Sequence, residues 1–360
     1  MSKSESYGWI HDLVDRFDLE PEEAEGVARA LLQGELTPVQ SAALLTSLRM
    51  KGETVWEVAA FARAMRSSVI PVVTSRTPLL DTCGTGGSTF KTFNVSTCVA
   101  LLLASQGIAV AKHGNRAMSG TCGSADVLEA LGVNLALSPE RIGKIIDRVG
   151  IGFLFAQAHH PGMKHIAPVR KELGFRTIFN LMGPLSNPAG ANLQLMGVYE
   201  KRLCALAAGA LKELGCERAL VVHHAQGADE ILTFGITYCS ELKDGVVTER
   251  LLTPADFGLK EWQLPDPNHL RATDTLSESA EVVERVLSGL EKLPQDTARL
   301  DLVSVNAGAA FTLTGHAATL AEGYEMARAA LKSGAGREKL AELVFATNEK
   351  DTLSSTENTS

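Results

Sequence analysis

The sequence predicts an α/β protein with a small N-terminal all-helical domain and a larger α/β domain, in which helices flank a mostly parallel central sheet. Two features lead to this class. Residues 1–70 show helical apolar spacing with no strand pattern, whereas short apolar runs alternate with helices from Val72 onward. Alternation of this kind is typical of a parallel sheet covered by helices on both faces. The length of 360 residues also fits about two domains.

The helical region, residues 1–70, contains an apolar stripe near its start and two helix-capping patterns further on. The stripe consists of Trp9, Leu13, Val14 and Phe17, which recur at helical spacing. Thr37 and Thr54 are each followed three residues later by a Gln or a Glu, which is the pattern of a capping box. We therefore expect helices to begin immediately after both threonines.

The second region, residues 71–347, contains the predicted sheet. Its parallel strands are expected at Leu79–Thr82, Ile108–Ala111, Ile151–Phe155, Leu195–Tyr199 and Ala219–His223. Two polar-alternating strands within 236–252 flank Lys243-Asp244-Gly245 and predict a hairpin. Helices are expected at Asn94–Gln106, Ser124–Leu131, Lys201–Leu214 and from Glu278 to about Thr347. The polar residues 348–360 are expected to form a flexible tail.

Composition and charge exclude several classes of protein. Hydrophobic residues make up 45% and charged residues 21%, the mix of a soluble globular protein. A net charge of −8 opposes binding to a nucleic-acid backbone. The longest apolar runs, such as Cys98–Ala104, are far shorter than the ~20 residues that cross a bilayer. Without a signal-peptide segment, we expect a cytoplasmic protein with reduced cysteines, since its six cysteines form no C-x-x-C pattern.

A glycine-rich stretch follows the first predicted strand. The letters DTCGTGGS cover 81–88, and TFNVST at 92–97 opens the next helix. Backbone N–H groups of such a turn and the N-terminus of the helix together favour an anion, above all a phosphate. The stretch is neither a P-loop, which needs a Gly-Lys-Ser/Thr, nor a G-x-G-x-x-G motif. A plain tight turn is the alternative at this point.

Two further clusters follow predicted strands. Lys112-His113-Gly114-Asn115-Arg116 brings two cations, although both could be ordinary solvated surface residues. The adjacent carboxylates Asp229 and Glu230 lie in HHAQGADE, at 223–230, and suit Mg²⁺, which prefers oxygen ligands. A zinc site at the two histidines of that segment is a weaker alternative because it lacks typical ligand spacing.

The three clusters belong at one edge of the sheet. Ligands of open parallel sheets bind in the crevice at the carboxyl ends of the strands. The combination of phosphate cradle, cations and carboxylates therefore predicts a phosphorylated, anionic substrate that carries Mg²⁺. We expect His159, His160 and His165 to be helix-start or packing residues rather than ligands.

Several long motifs resemble one enzyme family. They are GTGGSTFKTFNVST, AKHGNR, GSADVLEALG, HHPGMKHIAPVRKELGFRTIFNLMGPLSNPAG and GADE. From roughly Trp9 to Phe345 the chain resembles the anthranilate phosphoribosyltransferases of tryptophan biosynthesis. KHGNR and RTIFNLMGPLSNP distinguish it from the pyrimidine nucleoside phosphorylases, which share the type of fold.

The resemblance implies a reaction and an assembly. These enzymes transfer phosphoribose from 5-phosphoribosyl-1-pyrophosphate to the amine of anthranilate and release pyrophosphate. They use Mg²⁺, for which we expect two ions per subunit, and they form homodimers through the helical domain. The helix within 161–173 would join that domain in space. No acid or base is assigned, because an aromatic amine is already a nucleophile and Mg²⁺ with Lys112 can stabilise the leaving pyrophosphate.

The resemblance also implies site residues. Phosphoribosyl pyrophosphate would contact Gly84, Gly87, Ser88, Thr92, Asn94, Val95, Ser96, Thr97, Lys112, His113, Gly114, Asn115, Arg116, Ala117, Met118, Ser119, Gly120 and Ser124. Anthranilate would contact Gly84, His113, Asn115 and Arg170. Metal would be held by Ser96, Asp229 and Glu230.

Four positions depart from the family pattern. Ser88 replaces a common aspartate, Gln157 a proline, Cys122 a serine and His224 a glycine. These changes leave open a related phosphoribosyltransferase, or a nucleoside phosphorylase-like enzyme, with another acceptor. A non-catalytic nucleic-acid-binding relative is a further alternative, but it would need a basic surface that the net charge of −8 opposes.

Overall fold

The N-terminal part of the protein consists of four helices. A computed structural model describes residues 3–117, 122–260 and 265–349. The first helices are α1 (Lys3–Val14), α2 (Pro21–Gln33), α3 (Pro38–Lys51) and α4 (Val55–Ser67). Both predicted capping boxes are present, at Thr37 and Thr54. The predicted apolar stripe is wrong at its end, because α1 stops at Val14, and Phe17 lies beyond the helix in an exposed position.

A seven-stranded sheet forms the centre of the remaining chain. Its strands are β1 (Leu80–Gly84), β2 (Val110–Gly114), β3 (Ile151–Phe155), β4 (Leu193–Gly197), β5 (Arg218–His224), β6 (Thr237–Lys243) and β7 (Val246–Leu252). The spatial order is β3-β2-β1-β4-β5-β6-β7, in which the first five strands are parallel and the last two antiparallel. The mostly parallel sheet is therefore confirmed. Asp244 and Gly245 both have positive φ, as the tight turn of the predicted hairpin requires.

Eleven further helices in the described residues cover the sheet. They are α5 (Val95–Ser105), α6 (Ser124–Ala130), α7 (Pro139–Val149), α8 (Ala156–His159), α9 (Met163–Leu173), α10 (Phe179–Leu185), α11 (Leu203–Glu213), α12 (Leu276–Leu287), α13 (Pro294–Leu313), α14 (Leu320–Lys332) and α15 (Ala335–Asn348). Short 3-10 helices lie at Pro254–Phe257 and Pro267–Leu270.

The two faces of the sheet bury different helices. Alternate residues of one strand point to opposite faces, so Leu220 of β5 packs with α5 and α13, whereas Val221 packs with the N-terminal helices and α11. The N-terminal helices therefore share one continuous core with the sheet. Helix α9 lies against α2 and α3, and its Ile166 and Val169 are buried in that core.

Two expectations about the chain as a whole can be compared with this structure. All six cysteines are free, as expected from their spacing. Within the described residues, no helix is both long and apolar enough to span a membrane.

Candidate functional site

The glycine loop, residues 84–94, connects β1 to α5 and forms the centre of the candidate site. Gly86 and Gly87 have φ values of 64° and 78°, which favour glycine because a side chain rarely adopts that backbone conformation. A Cβ added at Gly86 would meet no atom within 4 Å, so this part of the loop borders open space. Beyond the loop, α5 begins at Val95 and directs its N-terminal N–H groups to the same region.

The carboxylate loop, residues 225–230, lies directly against the glycine loop. The Thr89 N–H donates to the Gly227 carbonyl at 3.0 Å, and the Thr92 hydroxyl donates to the Glu230 carboxylate. A Cβ at Gly84 would lie 2.7 Å from Asp229 Oδ2, so the glycine allows this carboxylate to approach the end of β1. The structure thus brings together the first and third clusters, although β4 lies between β1 and β5.

Lys112 lies beneath the glycine loop rather than on its surface. Its Nζ donates to the Thr82 carbonyl at 2.7 Å and to Ser96 Oγ at 3.1 Å, and the residue is buried. Burial lowers the pKa of Lys112, while the nearby Asp81 carboxyl acts in the opposite direction. The amine therefore orients Ser96 and supplies positive charge from below the site.

Asp81 is a buried carboxyl that sequence analysis did not assign to the site. It accepts from the Asn187 amide at 2.8 Å and from the His113 N–H at 3.1 Å. Burial raises the pKa of Asp81 to about 6, although Lys112 and these donors act in the opposite direction. Asp81 thereby fixes the end of β2 beside β1. Its place in the DTCG run, two residues before Cys83-Gly84, was the available signal.

His113 is a neutral histidine at the end of β2. Its Nδ1 lies 2.8 Å from the Gly183 carbonyl, and its Nε2 lies 3.2 Å from Nε2 of His160. Burial and the neighbouring His160 ring lower the pKa of His113 to about 3. Because Nδ1 must donate to the carbonyl, Nε2 of His113 is the acceptor of the His160 N–H. His160 is thus a packing residue that orients His113.

Asn115 and Ser124 close the other wall of the site. The Ser124 hydroxyl lies 3.4 Å from the Asn115 carbonyl, and a Cβ at Gly114 would be 2.2 Å from Ser124 Oγ. Glycine is therefore required at 114 for this wall to pack. The Gln157 amide, one of the departures from the family pattern, donates to Asn115 Oδ1 at 3.3 Å.

Arg116 forms ion pairs with α6. Its guanidinium lies 3.0 Å from Asp126 and 2.8 Å from Glu129, and these carboxylates hold the pKa of Arg116 above its ordinary value. The side chain is exposed. Of the two cations in the second cluster, one is therefore buried and the other is already paired.

The remaining predicted residues occupy different surroundings. Val95 and Thr97 are buried on α5, where Val95 belongs to the core, whereas Ser88 and Asn94 of the glycine loop are half-buried. Ala117 is exposed, and its N–H donates to Asp126 at 2.9 Å. Predicted contacts at Met118, Ser119 and Gly120, and residues 350–360 of the predicted tail, lie outside the described residues.

Arg170 is a half-buried cation on α9. Its guanidinium lies 3.5 Å from Asn180 Oδ1 and 5.8 Å from the centre of the Phe179 ring. Burial lowers the pKa of Arg170. The described residues place no carboxylate within ion-pair distance, so Arg170 is not a surface arginine paired with a nearby glutamate.

The oxygen ligands of the site suit Mg²⁺ better than zinc. The described residues contain no group of three or more His, Cys, Asp or Glu side chains that could hold a metal by itself. Asp229 and Glu230 are adjacent, and desolvation followed by the charge of Asp229 raises the pKa of Glu230 to about 8. A divalent cation would relieve both effects, and phosphate oxygens of a substrate can complete its coordination. By contrast, His223 and His224 are engaged with the backbone carbonyls of Val198 and Phe234.

Comparison with known proteins places the chain in a family. Residues 8–69 match the helical bundle domain of a glycosyl transferase family, and residues 76–337 match its a/b domain. The fold and these two matches thus define a glycosyl transferase of this two-part class. The chain is 48% identical to the anthranilate phosphoribosyltransferase of Thiobacillus denitrificans, over 92% of this chain and 94% of that protein. The chain belongs to the anthranilate phosphoribosyltransferase family.

Solved structures agree with this assignment. The crystal structure of anthranilate phosphoribosyltransferase from Thermus thermophilus matches with a TM-score of 0.87 and 44% identity, over 95% of this chain and 99% of that one. The enzyme from Saccharomyces cerevisiae, in complex with PRPP and Mg, matches with a TM-score of 0.84 and 26% identity, over 96% and 98% of the two chains. PRPP denotes 5-phosphoribosyl-1-pyrophosphate.

Proposed function

We propose that this protein transfers the phosphoribosyl group of PRPP to the amine of anthranilate. The products are N-(5-phosphoribosyl)anthranilate and pyrophosphate. The observation that carries the proposal is the meeting of the glycine loop, the buried Lys112 and the carboxylates of Asp229 and Glu230 at one edge of the sheet. The relatives that match over nearly the whole chain are named anthranilate phosphoribosyltransferase, which supports the proposal.

The donor side of the site suits PRPP. N–H groups of the glycine loop and of the first turn of α5 can bind phosphate oxygens without a conformational cost to a side chain. The Ser96 hydroxyl, Asp229 and Glu230 would hold Mg²⁺, and we propose two ions per subunit. Bound Mg²⁺ neutralises negative charge on the leaving pyrophosphate. Lys112 adds a fixed positive charge below Ser96.

The acceptor side suits an aromatic carboxylate. Arg170 offers a half-buried guanidinium without a carboxylate partner among the described residues, which suits the carboxylate of anthranilate. His113 stays neutral and is buried beside His160, and Asn115 offers an amide. Because the amine already carries a lone pair, catalysis needs it to be positioned against C1 of the ribose. No acid or base residue is assigned.

A fluorescence assay tests the function. Purified protein should consume anthranilate only when both PRPP and Mg²⁺ are present, and pyrophosphate should form in equal amount. Consumption that is independent of PRPP, or its absence under all conditions, would contradict the proposal. A transferase with another aromatic acceptor is a second candidate, because Gln157 bonds to Asn115 on the acceptor side. Assays with substituted aminobenzoates distinguish the two.

We also propose that the protein acts as a cytoplasmic homodimer. Residues 1–70, together with helix α9, would form the interface. The N-terminal part exposes several large apolar side chains, namely Val14, Phe17, Val39, Met50 and Trp56. Light scattering coupled to size exclusion tests this assembly, and a monomer at micromolar concentration would contradict it.

A further inference from the structure

Arg176 contacts the glycine loop although no motif assigned it a role. It lies between α9 and α10, and its guanidinium donates to the Gly87 carbonyl. A Cβ at Gly87 would lie 2.9 Å from Arg176 Nη2, so the glycine also makes room for the approach. The signal in the sequence was that Arg176 lies six residues after Arg170, within the segment KELGFRTIFN that resembles the family.

A second contact holds Arg176 in place. The Arg176 guanidinium lies 4.0 Å from the centre of the Tyr199 ring, a distance typical of a cation–π interaction. The Tyr199 N–H in turn donates to Thr85 Oγ1 at 3.1 Å. The backbone of Tyr199 and the guanidinium of Arg176 are thus both hydrogen-bonded to the glycine loop. Within the described residues, no carboxylate forms an ion pair with Arg176, so its charge is not neutralised locally.

The contact with Gly87 determines where the next N–H points. In a trans peptide the carbonyl of one residue and the N–H of the following residue point in opposite directions. When Arg176 holds the Gly87 carbonyl, the Ser88 N–H is directed away from the guanidinium. Gly86 and Gly87 have positive φ and no Cβ, so their peptide planes rotate easily unless a partner holds them.

We propose that Arg176 is a positioning residue that holds the Gly87–Ser88 peptide in the orientation that binds a phosphate of PRPP. The inference rests on the proposed function, because it concerns the donor side of that site. It requires that loss of Arg176 weakens binding of PRPP and pyrophosphate, while binding of anthranilate at saturating PRPP is little changed. Lysine keeps the charge and can donate from its ammonium group, but it lacks the planar group that stacks on Tyr199.

The test compares variants by calorimetry with Mg²⁺–PRPP and Mg²⁺–pyrophosphate, and by steady-state kinetics with each substrate varied. For Arg176→Met we expect the KM for PRPP and the Kd for pyrophosphate to rise about ten- to hundredfold, as for one lost charge-assisted hydrogen bond. The KM for anthranilate should stay within about twofold of the wild type. Arg176→Lys should restore part of the affinity. The matched control is Arg148→Met, since Arg148 pairs with Glu349 at the surface.

Each result separates the two proposals. If the wild type binds PRPP and Arg176→Met binds it equally well, the positioning role is wrong while the proposed function stands. Equal weakening toward both substrates, with a lower unfolding temperature, would make Arg176 a folding residue and would also overturn the inference. If the wild type binds neither PRPP nor pyrophosphate, the proposed function itself fails.

Discussion

The cations near the site differ in whether a neighbouring carboxylate already neutralises their charge. Lys112 is buried and donates to Thr82 and Ser96, whereas Arg116 is exposed and paired with Asp126 and Glu129. A paired surface arginine contributes little net attraction, because its carboxylates cancel the charge and water screens the remainder. Among these side chains, we therefore expect Lys112 to matter most for the developing charge on pyrophosphate.

Arg170 provides a test of acceptor identity. Arg170→Ala should cost about 1.5–3 kcal/mol of anthranilate binding, the range for a hydrogen bond to a charged group. The KM for anthranilate should rise roughly ten- to hundredfold, with the KM for PRPP nearly unchanged. Steady-state kinetics with each substrate varied measures both values. Lys171→Ala, an exposed neighbour on the same helix, is the control. An unchanged KM for anthranilate would remove Arg170 from the site.

Glu230 provides a test of the metal site. Glu230→Gln should keep the fold, because the change is nearly isosteric and the amide oxygen can still accept from Thr92. Most activity should be lost at limiting Mg²⁺, since a neutral amide is a weaker ligand for this ion. Magnesium titrations of the two proteins make the measurement, with the exposed Glu249→Gln as control. A titration that matches the wild type would make the carboxylate structural.

The buried histidine pair predicts sensitivity to acid. Burial lowers the pKa of His160 to about 4 and that of His113 to about 3, below the value of 6.5 for a free histidine. Between pH 6.5 and 4.5 the unfolded chain therefore binds protons that the folded chain does not, and the free energy of unfolding falls as the pH falls.

His160→Gln should reduce this sensitivity, because glutamine can still donate to His113 but does not titrate. We expect the wild type to lose about 2–3 kcal/mol more than the variant between pH 6.5 and 4.5. Urea unfolding at the two pH values measures the difference. Asp81, Lys112 and His159 titrate or carry charge in both proteins, so their effects largely cancel. An equal loss of unfolding free energy in the wild type and in the variant would contradict the prediction.

At the scale of elements, the glycine loop depends on its backbone conformation. Gly86 has a φ of 64° with open space around a would-be Cβ, so its substitution strains the backbone and adds bulk where phosphate would bind. Gly86→Val should abolish calorimetric binding of PRPP. Gly334→Val is the matched control, because Gly334 has a φ of 76°, faces open space and is the N-cap of α15 rather than part of the glycine loop. Unchanged PRPP binding by Gly86→Val would show that the glycine loop does not bind the phosphate.

At the scale of the whole molecule, the helical part and the sheet share a core and should unfold together. Phe61 of α4 meets Phe179 of α10 with ring centres 5.9 Å apart, and Phe61 is almost fully buried. Phe61→Ala should destabilise the protein by about 3–5 kcal/mol. Far-UV circular dichroism and tryptophan fluorescence should give coincident transitions in both proteins. Phe345→Ala, at an exposed position, is the control. Separate transitions would contradict the shared core.

Local patterns in the sequence were sufficient for the class of fold and for most elements. The capping boxes at Thr37 and Thr54, and the hairpin turn at Asp244 and Gly245, follow from short-range chemistry that neighbouring residues complete among themselves. Strand positions followed from apolar runs, with boundaries displaced by one to three residues in β1, β2 and β4 because hydrogen bonding to neighbouring strands sets the ends. The placement of three clusters at one edge also followed from the parallel order of the strands.

The surroundings of each side chain were decided only by the tertiary structure. The sequence shows Lys112 and Arg116 as similar cations, but one is buried under the glycine loop and the other is paired with α6. Three hydrogen bonds of the site join residues that are distant in the sequence. Asn187 donates to Asp81, and Gln157 donates to Asn115. Arg176 donates to the Gly87 carbonyl. Burial and ion pairing depend on which segments the fold packs together. A local pattern of residues does not show which distant segments become neighbours.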